Sequence, residues 1–287
     1  MAIGSTTDRS KLQEELDAPF MVTGEQITFY AENGYIKLKH VLSPALLEHY
    51  RGAISARVAE LSVGSVPMEQ RTTYDRAFLQ IMNLWTNSKE VKEFVFGKRL
   101  ARIAAELIGA TGVRIYHDQA LYKEAGGGIT PWHADQYYWP VSSNKMTTAW
   151  VPLQDTPQEM GPVAFCEKSH RFQIGRDLEI SGESELTLKE ALKTFSMEDR
   201  GFELGEVSFH SGWTFHRAGP NATDRPRAVM TTIYMDENMT LAAPKNKNQV
   251  IDSERWCPGV QIGEMVASPL NPVLYSSNPE PFLTPVA

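Results

Sequence analysis

Cysteine is scarce: Cys166 and Cys257 are the two in 287 residues. Neither belongs to a Cys-x-x-Cys pair, which excludes a thiolate zinc site and a disulfide framework. Two thiols so far apart fit a reducing compartment, each as a small buried hydrophobe. Basic charge is also short, with 28 Lys and Arg against 35 Asp and Glu and a formal net charge of −7. Nucleic-acid-binding surfaces carry a basic excess because phosphate contacts dominate their affinity. No basic run is present, so nucleic acid and an anionic membrane are set aside as partners. No apolar run approaches the ~18 residues of a membrane span. The segment before Phe20 is polar and charged, without a signal-peptide core or an Arg-rich, acid-poor transit composition. The expectation is a cytoplasmic protein. Gly126-Gly127-Gly128 lacks the Lys-Ser/Thr step into a helix that a phosphate loop needs. Ile129-Thr130-Pro131 follows it, so it reads as a turn.

What is present is an ordinary globular composition, 42% hydrophobic and 22% charged, enough for one sizeable core. Thr23 or Gly24 starts a helix over Glu25–Asn33, stopped by Gly34. Tyr35–Lys39 alternates as a strand. Ser43-Pro44 opens a helix to about Leu61, with Leu46, Leu47, Tyr50, Ile54, Val58 and Leu61 at helical spacing. Residues 62–74 read as loop, and Ala77–Trp85 is apolar but undecided. Helices follow over Ser88–Phe96 and Arg99–Ile108.

The texture then changes to short strands: Val113–Lys123 (Ile115, His117, Gln119 and Leu121 on one face), Met146–Leu153, Val163–Cys166, Glu206–Phe209, Thr214–Ala218 and Ala228–Met235. Charged residues 173–200 interrupt them with a helix near Leu186–Phe195. Helices first and many short strands after imply a mainly β domain, a jelly roll or barrel with flanking helices. The division expected is a flexible arm over 1–19, then one domain over 20–287. Its helical part spans about 20–110, its jelly-roll core about 111–236 and its irregular tail 237–287.

His133-Ala134-Asp135 carries the first chemical signal. In extended chain the imidazole and carboxylate fall on one side, two-thirds of a 2-His-1-carboxylate iron site. The third ligand comes from His40, His117, His170, His210 or His216. His216 has the best context, on a strand after a turn and before Gly219-Pro220-Asn221. Its separation of 83 residues from His133 suits strands on opposite sides of a barrel. Eleven residues further, Arg227 enters an apolar strand. A buried guanidinium needs an anion, and a carboxylate held bidentately supplies one. On the residues alone, alternatives stay open. The His133/Asp135 pair fits a surface hydrogen bond, Arg227 an ordinary salt bridge, and His210 competes as distal ligand.

Taken together, His133-x-Asp135, His216, Gly219-Pro220-Asn221 and Arg227 resemble the phytanoyl-CoA dioxygenase family of iron(II)/2-oxoglutarate oxygenases. The resemblance runs from about Thr23 to Tyr234 and includes Trp132, Gly161-Pro162 and Ser169-His170-Arg171. It implies a double-stranded β-helix, a jelly-roll or cupin-like core. It implies Fe(II) held by His133, Asp135 and His216, with 2-oxoglutarate and O2 as co-substrates and Arg227 on the far carboxylate. Gln119, Thr130 and Trp150 match positions that line the co-substrate, and His117, Tyr137 and Trp139 match positions that meet the prime substrate. Relatives often have serine where this chain has Ala218, so one co-substrate hydrogen bond differs. Asp135 disfavours the halogenating branch, where a small residue makes room for chloride.

The implied reaction is oxidation, by default hydroxylation, of an unactivated C–H bond in a small, largely apolar metabolite, with 2-oxoglutarate decarboxylated to succinate. Desaturation, epimerisation and cyclisation are variants. The competing classes are a cupin-like metal isomerase or hydrolase and a non-enzymatic small-molecule-binding barrel.

Overall fold

Thr6–Asp17 form a helix, α1, in a computed structural model that describes residues 6–62, 70 and 78–278. Over residues 6–17 this corrects the flexible arm expected over 1–19; residues 1–5 lie outside the described residues. The helix has no apolar stripe for the sequence to reveal; individual contacts hold it. Leu16 is buried over Gly97, Arg9 pairs with Glu93 at 2.8 Å, and the Glu15 carboxylate accepts from the Ser43 N–H and hydroxyl, each at 2.7 Å. The loop expected over 62–74 lies, apart from residues 62 and 70, outside the described residues, as does Ala77.

The next helices form where the sequence supplies end groups. α2 (Gly24–Asn33) opens with a capping box between Thr23 and Gln26 and closes at Gly34, φ 81°. α3 (Pro44–Leu61) has Ser43 as its cap and Pro44 in its first turn. α4 (Lys89–Val95) precedes α5 (Lys98–Ile108), which buries Leu100, Ala101, Ile103, Ala104, Ala105 and Leu107. That stripe supplies much of the main core.

Two antiparallel sheets make the rest. The larger contains β1 (Tyr35–Leu38), β2 (Leu79–Met82), β3 (Gly112–Lys123), β5 (Met146–Pro152), β8 (Val207–Ser211), β10 (Arg227–Asp236) and β11 (Val273–Ser276). Its order is β1-β8-β5-β10-β3-β11, with β2 also paired to β3. The smaller is β4-β9-β6-β7, built from β4 (Thr130–His133), β6 (Val163–Cys166), β7 (Met197–Glu198) and β9 (His216–Ala218). This is the jelly-roll core expected. β5 is buried throughout and β10 over all but its last residue, because both faces are covered. Ala149, Val151, Ala228, Met230 and Tyr234 join the helix-side core. Thr148, Trp150, Arg227, Thr231 and Ile233 line a cavity. Period-two alternation thus separates scaffold from site along each strand.

Three further expectations are corrected. Ile115 does not share the face of His117, Gln119 and Leu121. The register jumps from Ile233↔His117 to Tyr234↔Ile115, a β-bulge at Tyr116 that turns Ile115 to the helix side. The tail is not wholly irregular; it carries α7 (Lys247–Trp256) and β11. The helix of the charged excursion, α6, spans Gly182–Ala191, earlier than expected, because Ser181 caps it.

Candidate metal and co-substrate centre

His133 ends β4, His216 begins β9, and they face each other across that antiparallel pair. The strands are therefore neighbours, not opposite walls of a barrel: the 83-residue separation is a chain excursion that returns to pair. Asp135 lies beyond the strand and opens a 3-10 turn, Asp135–Tyr137. Ala134 keeps extended angles, φ −127° and ψ 127°, so the two ligand side chains still share a side.

Asp135 Oδ1 lies 3.6 Å from His133 Nε2 and 3.6 Å from His216 Nε2. One ligand atom from each residue falls within 4.8 Å of the others. Each imidazole is aimed by its other nitrogen: His133 Nδ1 sits 2.7 Å from the Pro131 carbonyl and His216 Nδ1 2.9 Å from the Thr214 carbonyl. A carbonyl accepts only, so Nδ1 carries the proton and Nε2 presents its lone pair. Burial pushes both imidazoles down to about 4, which keeps them neutral. Burial opposes the Asp135 charge, but at the low pH where the carboxyl titrates the protonated rings around it, His216 first, outweigh burial and hold it below the usual carboxylate range. Two neutral imidazoles and one carboxylate suit a divalent iron, so the residues present fit that metal.

His210 is not in the ligand group. Its Nε2 is 3.3 Å from Asp135 Oδ2, the oxygen that also accepts from the Thr148 hydroxyl at 3.2 Å. The carboxylate is thereby oriented from behind.

Arg227 opens β10 at 2% exposure. It donates to the Gly161 carbonyl, its Nε has no partner among the described residues, and its guanidinium lies 5.4 Å from the Trp150 ring. Burial pushes it down to about 9. A guanidinium buried without an anion is costly, and a carboxylate bound in the cavity would supply the missing charge. The acceptor is fixed by Gly161. At φ 66° its absent Cβ would fall 2.2 Å from the Gly219 oxygen, so a side chain is excluded there. Lys123 faces Arg227 in register and donates to Gly128 and Gly219 carbonyls at 2.5 and 2.7 Å. Asn221 ties the same corner by donating to the Lys123, Glu124 and Arg225 carbonyls.

His133, Asp135, His216 and Arg227 line one cavity of about 240 Å³ together with Gln119, Thr130, Trp150, His117 and Trp139. Tyr137 does not line it. Its carbonyl accepts from Gln249 at 3.0 Å and its hydroxyl from Asn248 at 3.4 Å. Tyr138 lines the cavity in its place, because the chain leaves strand geometry at Asp135. Sequence reasoning also missed Met82, Ile180 and Asp252. The last was within reach, since Asn246 caps α7 through the Gln249 N–H and marks a helix start.

The chain matches the family described as Phytanoyl-CoA dioxygenase (PhyH) over residues 30–229. It is 26% identical over 238 residues to 1-deoxypentalenic acid 11-beta-hydroxylase of Streptomyces arenae, covering 70% of this chain and 76% of that one. It is 24% identical over 245 residues to methylphosphonate hydroxylase of Gimesia maris, covering 82% and 87%. Its fold matches the non-heme alpha ketoglutarate dependent carbocyclase SnoK from nogalamycin biosynthesis at TM-score 0.73 and 22% identity, over 89% of this chain and 99% of that chain.

Proposed function

The chain belongs to the phytanoyl-CoA dioxygenase family, and we propose that His133, Asp135 and His216 hold its iron and Arg227 anchors its 2-oxoglutarate. The protein is an iron(II)/2-oxoglutarate-dependent dioxygenase. Bound iron, with 2-oxoglutarate and O2, supplies the oxidising power to break an unactivated C–H bond as the keto acid becomes succinate and CO2. The chain's own residues bind, orient and exclude water. The two imidazoles and Asp135 Oδ1 present their donor atoms from one side and leave the cavity side free. Arg227 fixes the far end of the co-substrate through a charge-assisted fork, with Gln119, Thr130 and Trp150 beside it. His117 and Trp139 border the place of the prime substrate. Tyr138 takes the role expected of Tyr137.

We read the reaction as hydroxylation of a small molecule with a largely apolar body; two relatives carry hydroxylase names. Among the described residues no helix is long and apolar enough to cross a membrane. Both cysteines are free and buried, which supports our assignment to the reducing cytoplasm.

One observation carries this reading: Asp135 Oδ1 sits 3.6 Å from both ligand imidazoles, in the cavity that also holds Arg227 with no anion beside its guanidinium among the described residues. Equilibrium dialysis with Mn(II) tests it. Wild type should take up one metal ion per chain, and His133→Ala should lose it; equal uptake by both would overturn the assignment.

A further inference from the structure

The cavity has a second end, away from Arg227, with two polar side chains, His117 and Asp252, that our reading gives neither to the metal nor to the co-substrate. His117 pairs with Ile233, six residues along β10 from Arg227, about 20 Å at the usual strand rise. At that end the walls are mostly apolar: Met82, Trp139, Ile233 and the ring of Tyr138. Asp252, on α7, breaks this surface and lines the cavity. Its Oδ2 accepts from the Tyr116 hydroxyl. Beside it the His117 ring packs 5.0 Å from Trp256, and His117 Nδ1 is buried with no partner among the described residues.

The site is built, because α7 is docked onto the turn that carries Asp135. Asn246 and Gln249 both donate to the Tyr137 carbonyl, at 3.3 and 3.0 Å. The bulge at Tyr116 places adjacent residues 116 and 117 towards this helix. Asp252 therefore has a fixed position relative to the iron ligands.

Building on the family reading, we propose that Asp252 is a specificity-determining residue that accepts a hydrogen bond from the prime substrate, with His117 as its neighbour. The substrate class is an apolar body bearing a hydroxyl or amine head group. Anionic head groups do not suit this end. The cations among the described lining residues are Arg217, paired with Glu185 at 3.0 Å, and Arg227, which belongs to the co-substrate. A carboxylate or phosphonate would meet Asp252 without a compensating charge. Burial also pushes the Asp252 carboxyl up to about 7, against the hydrogen bonds from Tyr116 and Trp256 and the charge of Arg255, which packs on Trp256 outside the cavity lining.

The test uses protein loaded with Mn(II) and 2-oxoglutarate under anaerobic conditions, titrated by calorimetry with four probes of similar shape: cyclohexylmethanol, cyclohexylmethylamine, cyclohexylacetate and methylcyclohexane. The alcohol, the amine or both should bind at least about tenfold more tightly than the acid and the hydrocarbon. Asp252→Leu should remove that preference while 2-oxoglutarate affinity stays within about threefold. Asp252→Asn separates the two head groups: it should weaken the amine and spare the alcohol. The wild-type probe series stands even if a variant fails to fold. Equal affinity across the probes, acid binding as tight as alcohol, no binding by either donor, or an unchanged preference in a folded Asp252→Leu would each overturn the proposal. Loading is read first. A protein that takes no 2-oxoglutarate refutes the family-site reading and this inference together, whereas a loaded protein without donor preference refutes this inference alone.

Discussion

His210 Nε2 lies 3.3 Å from Asp135 Oδ2, while the other carboxylate oxygen is shared between His133 and His216. We propose on this ground that His210 orients the carboxylate and is not a ligand. His210→Phe should weaken Co(II) or Mn(II) binding by about 10–100-fold and alter the visible Co(II) spectrum. His216→Ala should abolish binding at that site. Equal loss in both variants would make His210 a ligand; no change in His210→Phe would remove its orienting role.

Arg227 is buried with an unpartnered Nε, so its missing partner should be the co-substrate. Arg227→Met should lower 2-oxoglutarate affinity by about 100-fold or more and leave Mn(II) affinity within about threefold. Calorimetry of both ligands checks this. Without co-substrate the variant should be at least as thermally stable as wild type, since an uncompensated buried charge is gone. Unchanged 2-oxoglutarate affinity would sink the assignment.

Lys123 is buried beside Arg227, and burial pushes its amine down to about 6 from 10.5. Between those values the unfolded chain binds a proton there that the folded chain does not. Linkage then makes stability rise with pH through that window and stay lowest below it. Urea unfolding of the protein without 2-oxoglutarate, from pH 6 to 9, should give wild type a steeper gain than Lys123→Met, by up to about one proton. Parallel slopes would show that Lys123 stays charged in the fold.

Asn221, 1% exposed, donates to three carbonyls and accepts from Thr223. Asn221→Ala should cost about 2–4 kcal/mol, because buried acceptors lose their donor. It should also weaken 2-oxoglutarate binding, since the same corner braces Lys123 and the strand entering at Arg227. Calorimetric unfolding and ligand titration check both effects; a loss below about 0.5 kcal/mol would contradict the bracing role.

The candidate metal set was legible because coordination demands particular residue types in order, and His133, Asp135 and His216 leave those identities in the chain, as does Arg227, the proposed co-substrate anchor. Helix ends were legible for a similar reason: Thr23, Ser43 and Gly34 are local devices. α1 was not, because it is polar and held by contacts with residues far along the chain, such as Glu15 with Ser43. α7 buries Gln249 and Trp256 within its span, too little for a periodic signal. The bulge at Tyr116 is a property of pairing with β10, and the exchange of Tyr137 for Tyr138 follows from a 3-10 turn that breaks alternation after Asp135. Ile115 and Tyr137, beside the candidate ligands, were therefore misplaced, while His133, Asp135 and His216 do come together.

Succinate formation from 2-oxoglutarate, measured with oxygen uptake in the iron-loaded protein while substrate candidates are screened, decides whether this site performs the oxidation. Wild type should form succinate in step with oxygen consumed, and His133→Ala and Asp135→Ala should form none above background. An iron-loaded wild type that forms no succinate with any candidate, or variants that match it, would contradict the account.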